Sequence, residues 1–359
     1  MSDPEREDPA QTEDVLFERR DALGLITLNR PKALNALNRG MCVAIHAQLD
    51  DWATDDAIKT VAIVGAGEKA FCAGGDVVGL YHAGQAGAAD WEEFFADEYR
   101  MNLRIGTYAK PYVALIDGIT MGGGVGLSIH APFRVATERT LFAMPETGIG
   151  LIPDVGGTHA LARLPGEIGT WLGLTGARLK APECLTAGIA THHMGSDCIE
   201  DLLAELAAET DPVPDILMRY HATAEQPCTL TPNRGAIDRH FAADTCEEIM
   251  ASLSSPNQEG GDEWAEAQRD ILMKMSPTSM KLTRRALREA KGDTLANCLA
   301  REYRLVGNIK SGHDFYEGVR AQLIDKDRKP RWQPSALSVV PDEMVDGYFE
   351  APPHGDWVT

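Results

Sequence analysis

KPYVALIDGITMGGGVGLSIHAPFRVATERTLFAMPETGIGLIPDVGG, residues 110–157, decides how the rest of this chain is read. Tyr112, Val113, Ala114, Leu115 and Ile116 form an apolar run of strand length, which reads as a buried strand. Three glycines, Gly122, Gly123 and Gly124, then open into a helical pattern. After a second apolar segment come two carboxylates, Glu146 and Asp154, each behind a proline. Backbone amides at a helix start, with acids nearby, are the parts needed to stabilise an oxyanion and move protons.

Upstream, residues 15–30 read as two short strands around a turn, and Pro31 breaks the run. Met41, Ile45, Leu49 and Trp52 recur at helical spacing from Asn38 onward, and residues 60–67 are an apolar strand closed by glycines. This strand, helix, strand rhythm argues for α/β architecture with parallel pairing. The backbone must turn sharply at Gly74 and Gly75, and a helix over 91–105 leads into the central strand. Downstream, 134–136 and 141–143 read as strands, with one helix over 158–174 and another over 181–187. The loose recurrence of strand, glycine turn and helix suits a coiled stack of strand–strand–helix turns. From about residue 200 helix formers dominate, over 201–209, 215–220, 246–253, 263–273, 278–289, 294–307 and 315–324. The expected organisation is a disordered stretch 1–13, a core 14–205 holding the active site, a helical region 206–332 and a loosely packed tail 333–359.

The chain has 359 residues, 44% of them hydrophobic, and a formal net charge of -20. That is ample for a large core. Such a charge should repel nucleic acid and anionic membranes, and no Lys/Arg-rich run opposes this. No apolar run is long enough to span a bilayer. The seven cysteines include no CxxC pair, which reads as a reduced, intracellular protein without a zinc site. The start, MSDPEREDPAQTED, has neither an apolar h-region nor the Arg-rich character of a presequence, so the expected compartment is the cytosol.

Several motifs compete for the chemistry. GAGEKA, residues 65–70, matches a dinucleotide-binding glycine pattern, but Phe71-Cys72-Ala73-Gly74-Gly75 is a poor helix start, so the glycines read as closing the strand. If the strands before Gly74-Gly75 and before Gly122-Gly123-Gly124 are neighbours, their carboxyl ends bring two sets of free amides together as an oxyanion hole. Glu146 and Asp154 sit among Phe142, Met144, Ile149, Leu151, Ile152 and Val155, so burial should raise their pKa values toward catalytic use. The bland alternatives are close helix–strand packing for the glycines, a helix cap for Asp154 and a solvated loop for Glu146. His130 and His159 pair with no Ser or Cys nucleophile at a recognisable spacing, and GxSxG is absent.

LNRPKALNAL (28–37), KAFCAGGD (69–76), FAMPETGIGLIPDVGGTHAL (142–161) and GHDFYEGVRAQLIDKDRKPRW (312–332) carry a resemblance. The chain resembles the crotonase (enoyl-CoA hydratase/isomerase) superfamily over about residues 14–332, most closely its 3-hydroxyisobutyryl-CoA hydrolase branch. The resemblance implies a spiral core of strand–strand–helix turns, a helical C-terminal region and a coenzyme A thioester as substrate, with no metal or nicotinamide. It implies oxyanion amides at Ala73 and Gly123, flanked by Gly74, Gly75 and Gly122. Hydratases of the superfamily carry a glutamate where this chain has Gly126, and usually a glycine where it has Asp154; their second glutamate matches Glu146. Thioester hydrolysis by Glu146 and Asp154 therefore fits better than hydration by two glutamates, which is kept as the rival, as is a catalytically dead CoA-binding protein. Glu98 matches a glutamate placed near the acyl group. Arg30 and Lys32 stand where the adenine-nucleotide site begins, and Lys326 and Lys329 lie in a segment that can approach it. Relatives often form trimers or hexamers, so a homo-oligomer is among the expectations.

Overall fold

The structure is a computed structural model and describes residues 13–255 and 263–358. The stretch read as disordered lies outside these apart from Glu13. Nine strands and sixteen α-helices follow one another along the described residues. The first half runs β1 (Val15–Arg20), β2 (Leu23–Leu28), α1 (Arg39–Thr54), β3 (Thr60–Gly65), β4 (Ala70–Cys72), α2 (Val77–Gln85), α3 (Asp90–Gly106), β5 (Tyr112–Ile116), β6 (Ile119–Met121), α4 (Gly123–Gly126), β7 (Phe133–Ala136) and β8 (Leu141–Ala143). It continues through α5 (Gly157–Leu161), α6 (Ile168–Thr175), α7 (Ala181–Ala187) and β9 (His192–His193). The rest is helical: α8 (Ile199–Ala208), α9 (Val213–Tyr220), α10 (Leu230–His240), α11 (Cys246–Ser254), α12 (Glu263–Leu272), α13 (Pro277–Ala290), α14 (Leu295–Ile309), α15 (Asp314–Val319) and α16 (Asp342–Phe349).

The strands form two sheets. One has six strands in the order β1-β2-β3-β5-β7-β9, antiparallel only between β1 and β2. The other has three parallel strands, β4-β6-β8. Successive pairs β3/β4, β5/β6 and β7/β8 each give one strand to either sheet before a helix returns the chain, which makes the spiral. β5 reads as an unbroken apolar run because both faces of the larger sheet are covered. Tyr112, Ala114 and Ile116 point into the main core, whereas Val113 and Leu115 face Leu202, Leu206 and Ile216 of α8 and α9. α1 begins where Asn38 accepts the Met41 N–H at 2.9 Å, and buries Met41, Ile45, Leu49 and Trp52 as their spacing requires.

Three expectations need correction. The helix over 158–174 is two helices, α5 and α6, because Pro165 lacks a donor and Gly166 is left-handed (φ +56°). The helix over 315–324 is α15 followed by a π-type turn, Arg320–Ile324. The tail is not loose: Val340, Val345, Phe349 and Trp357 are buried, as is Trp332 just before it, and the Trp357 indole N–H donates to Ala96 O at 3.2 Å. The tail therefore straps onto α3, the helix that carries Glu98.

Candidate active site

β4 and β6 are adjacent and parallel, so their carboxyl ends lie side by side, as the two glycine turns require. Gly74 (φ +119°) and Gly122 (φ +48°) hold backbone conformations that a side chain would oppose. A Cβ on Gly123 would lie 3.3 Å from Gly75 N, 3.0 Å from Leu37 and only 2.6 Å from Glu98 Oε1. Among the described residues, the N–H groups of Gly75 and Gly123 have no protein acceptor. The expectation for Ala73 is corrected here: its N–H donates to Leu34 O at 3.0 Å and is not free. The amide beside Gly123 belongs to Gly75.

Arg30 is corrected in the same way. Its guanidinium donates to Ala36 O at 2.6 Å and to Asp76 Oδ2 at 3.4 Å, bracing the loop that presents Gly75. Lys32 does reach an open depression of about 390 Å³, shared with Pro31, Leu34, Gly67 and Lys69. Lys69 is a second cation there that the sequence reading passed over. Lys326 and Lys329 are exposed on the segment after α15.

A cavity of about 230 Å³ opens between the two glycine turns. Leu80, Phe94, Phe95, Leu151 and Phe315 give it an apolar wall, and Glu98, Glu146 and Asp154 face into it. All three acids are at most 5% exposed. Glu146 opens a 3₁₀ turn (Glu146–Ile149) after β8, with Oε1 beside Gly122 and Oε2 without a partner among the described residues. Burial pushes its pKa well above the usual carboxylate range, and Asp154 adds to this. Glu98 is raised for the same two reasons, and its Oε1 also lacks a partner. Asp154 is pushed up to about 6 by burial, while the Tyr99 hydroxyl, donating to Oδ2 at 2.7 Å, pulls it back down. Tyr99 is fully buried on α3, next to Glu98, and sequence reasoning missed it.

Asp154 stands on an unusual turn. Val155 (φ +54°) and Gly156 (φ +75°) are both left-handed, a costly state for a β-branched residue. His130 Nε2 meets Val155 O at 2.8 Å. A Cβ on Gly126 would lie 2.7 Å from Val155 Cβ and 2.7 Å from Asn102 Nδ2, so no glutamate fits where hydratases carry one. A larger groove of about 720 Å³ over α13 holds no comparable array: Lys281, Arg285 and Arg288 are paired there with Glu247, Asp346 and Asp244.

The sequence profile of the enoyl-CoA hydratase/isomerase family matches residues 23–349. The chain belongs to this family. It is 51% identical to the Danio rerio 3-hydroxyisobutyryl-CoA hydrolase, mitochondrial, over 94% of this chain and 90% of the relative. Identity to the Homo sapiens protein of the same name is 46%, over 94% of this chain and 89% of the relative. Among solved structures, a carnitinyl-CoA dehydratase from Mycobacterium thermoresistibile superposes with a TM-score of 0.89 at 39% identity, covering 96% of this chain and 98% of its own. An enoyl-CoA hydratase from Rhodobacter sphaeroides 2.4.1 gives 0.87 at 39% identity, covering 96% and 100%. The crotonase fold expected from the resemblance is therefore the fold observed. The cytosolic expectation is overturned, because the curated relatives are named mitochondrial. It had rested on an absence at the start of the chain, which carries no information about compartment.

Proposed function

We propose that this family member hydrolyses a short acyl-CoA thioester, 3-hydroxyisobutyryl-CoA, to 3-hydroxyisobutyrate and CoA, a step of valine degradation. The observation that carries the mechanism is the pairing of Glu146 and Asp154 around the free amides of Gly75 and Gly123, with position 126 walled off by Val155 and Asn102. Hydration by two glutamates has no place for its second acid. The curated relatives at 46–51% identity carry the hydrolase name, which supports the same reading.

The thioester carbonyl oxygen lies between the N–H groups of Gly75 and Gly123, which donate hydrogen bonds to the oxyanion of the tetrahedral intermediate. Glu146 attacks the carbonyl carbon, giving after thiolate departure a mixed anhydride that water hydrolyses to the free acid and Glu146, or takes a proton from a water whose oxygen forms the new C–O bond. The C–S bond then breaks, and the CoA thiolate leaves and is protonated. Asp154, with Oδ2 held by Tyr99 and its carboxyl lining the pocket, orients water or passes the proton. Glu98 Oε1, buried and unpartnered near Gly123, is placed to bond the hydroxyl of the acyl group. A cavity of about 230 Å³ limits that group to a short chain. Lys32 and Lys69 meet the phosphates of the nucleotide end.

Two assays with the purified full chain separate the readings. Free thiol released from 3-hydroxyisobutyryl-CoA and unchanged enoyl-CoA absorbance are the expected pair. Loss of enoyl absorbance without thiol release would favour the hydratase, and no turnover of either substrate would favour a catalytically dead binding protein.

A further inference from the structure

Asp154 owes its place to a turn that local sequence does not favour, and a distant part of the chain holds that turn. Glu302, fully buried on α14, reaches it from the helical region. Its Oε2 accepts the Gly156 N–H at 2.7 Å, and its Oε1 accepts the Thr158 N–H at 3.0 Å and the Thr158 hydroxyl. The intervening Gly157 N–H donates to Asp154 O at 2.6 Å. Three consecutive amides at the start of α5, none of which has a partner within the helix, are thus assigned. Val155 and Gly156 are held left-handed between these bonds and the His130 contact to Val155 O.

The next residue of α14 supports Asp154 by a second route. The Tyr303 ring meets the Tyr99 ring edge-on at 6.4 Å, and Tyr99 holds Asp154 Oδ2. We propose that Glu302 is a positioning residue for the reaction: by gripping Gly156 and Thr158 it fixes the turn that aims Asp154 at the thioester. This rests on the catalytic pair proposed above. A plain helix cap would satisfy the α5 amides and nothing more. A fully buried carboxyl group, 146 residues away in the chain, is a demanding substitute for the Ser or Asp that usually caps a helix.

The test is a double-mutant cycle on the full chain, with kcat and KM read from thiol release. Glu302→Gln keeps the volume but turns an amide N–H₂ toward one of the loop donors. The expected result is a fall in kcat of about 10- to 100-fold, the cost of a misplaced reacting group, with KM within about 2-fold of wild type. Because the effect passes through Asp154, adding Glu302→Gln to Asp154→Asn should cost little more than Asp154→Asn alone. Wild-type kcat in Glu302→Gln, or a loss that multiplies in full with that of Asp154→Asn, would overturn the proposal. Should Glu302→Gln fail to fold, Thr158→Val serves instead. It removes one of the three donors, and a several-fold loss absorbed by Asp154→Asn is expected, whereas unchanged kcat overturns the idea. If Asp154→Asn itself turns over like wild type, the catalytic pair fails first, and that outcome is distinct from a failure of Glu302 alone.

Discussion

At the acyl end of the site, Glu98, Glu146 and Asp154 crowd a cavity of about 230 Å³ with two unpartnered carboxylate oxygens and two free backbone amides. A second, open depression of about 390 Å³, which the proposed function gives to the nucleotide, is bordered by Lys32 and Lys69 next to Glu68. The first region takes charged groups out of water and keeps them poorly solvated, so each atom's place decides the rate. The second keeps its charges hydrated, so each is worth little and salt weakens it further. On the proposed function, the fold commits its precision to the carbonyl and leaves the phosphates to loose electrostatics.

The contrast breaks most sharply at Gly123. Gly123→Ala puts a Cβ 2.6 Å from Glu98 Oε1 and moves an oxyanion donor, so kcat should fall by about 10²- to 10³-fold in a thiol-release assay. Tyr99→Phe comes next. Asp154 titrates near 6, and the Tyr99 hydroxyl favours its carboxylate. Activity that needs ionised Asp154 rises as pH passes upward through this value, and loss of the hydroxyl should move that acid limb to higher pH. A pH–rate profile that stays in place would contradict the assigned role.

Glu98→Gln sharpens the comparison through stability. Burial raises the Glu98 pKa in the folded chain, so folding retains a proton that the unfolded chain releases. The sign follows: stability is intact below the unfolded value and is eroded as pH rises above it. Glu98→Gln should therefore raise the melting temperature by about 2–4 °C at about pH 8, and by less near about pH 5. The smallest effect belongs to the open end. Lys32→Ala should raise KM about 2- to 5-fold, leave kcat unchanged and lose its effect at high salt.

The legible parts of the fold are those where one segment suffices to reveal the element. β5 is apolar on both faces, α1 has a cap and a stripe, and both are plain in the residues. β4, β6 and β9 have only two or three residues each, too few for a period to register. Pro165-Gly166 is a break between α5 and α6 that the residues themselves show. The glycine turns and the pocket acids could be named from sequence, but not which amide stays free. That depends on Leu34 O, which reaches Ala73 from a loop of its own and leaves Gly75 unpaired. The bracing role of Arg30 has no signal in the sequence, because its acceptors, Ala36 O and Asp76, become close only in the folded loop. Glu302 gave no local signal, standing 146 residues from Gly156. Tyr99 gave one faint signal, its position next to Glu98 on the same helix. Phe349 and Trp357 are large aromatics in the tail, and such residues usually find a place to be buried.

The central claim is that Glu146 acts on a thioester carbonyl held by two amides. Its most direct test is the rate of free CoA release from 3-hydroxyisobutyryl-CoA by Glu146→Gln against wild type. Removal of the group that attacks or takes the proton should lower kcat by about 10³-fold, with KM near wild type. Release at the wild-type rate by a folded Glu146→Gln would contradict the account.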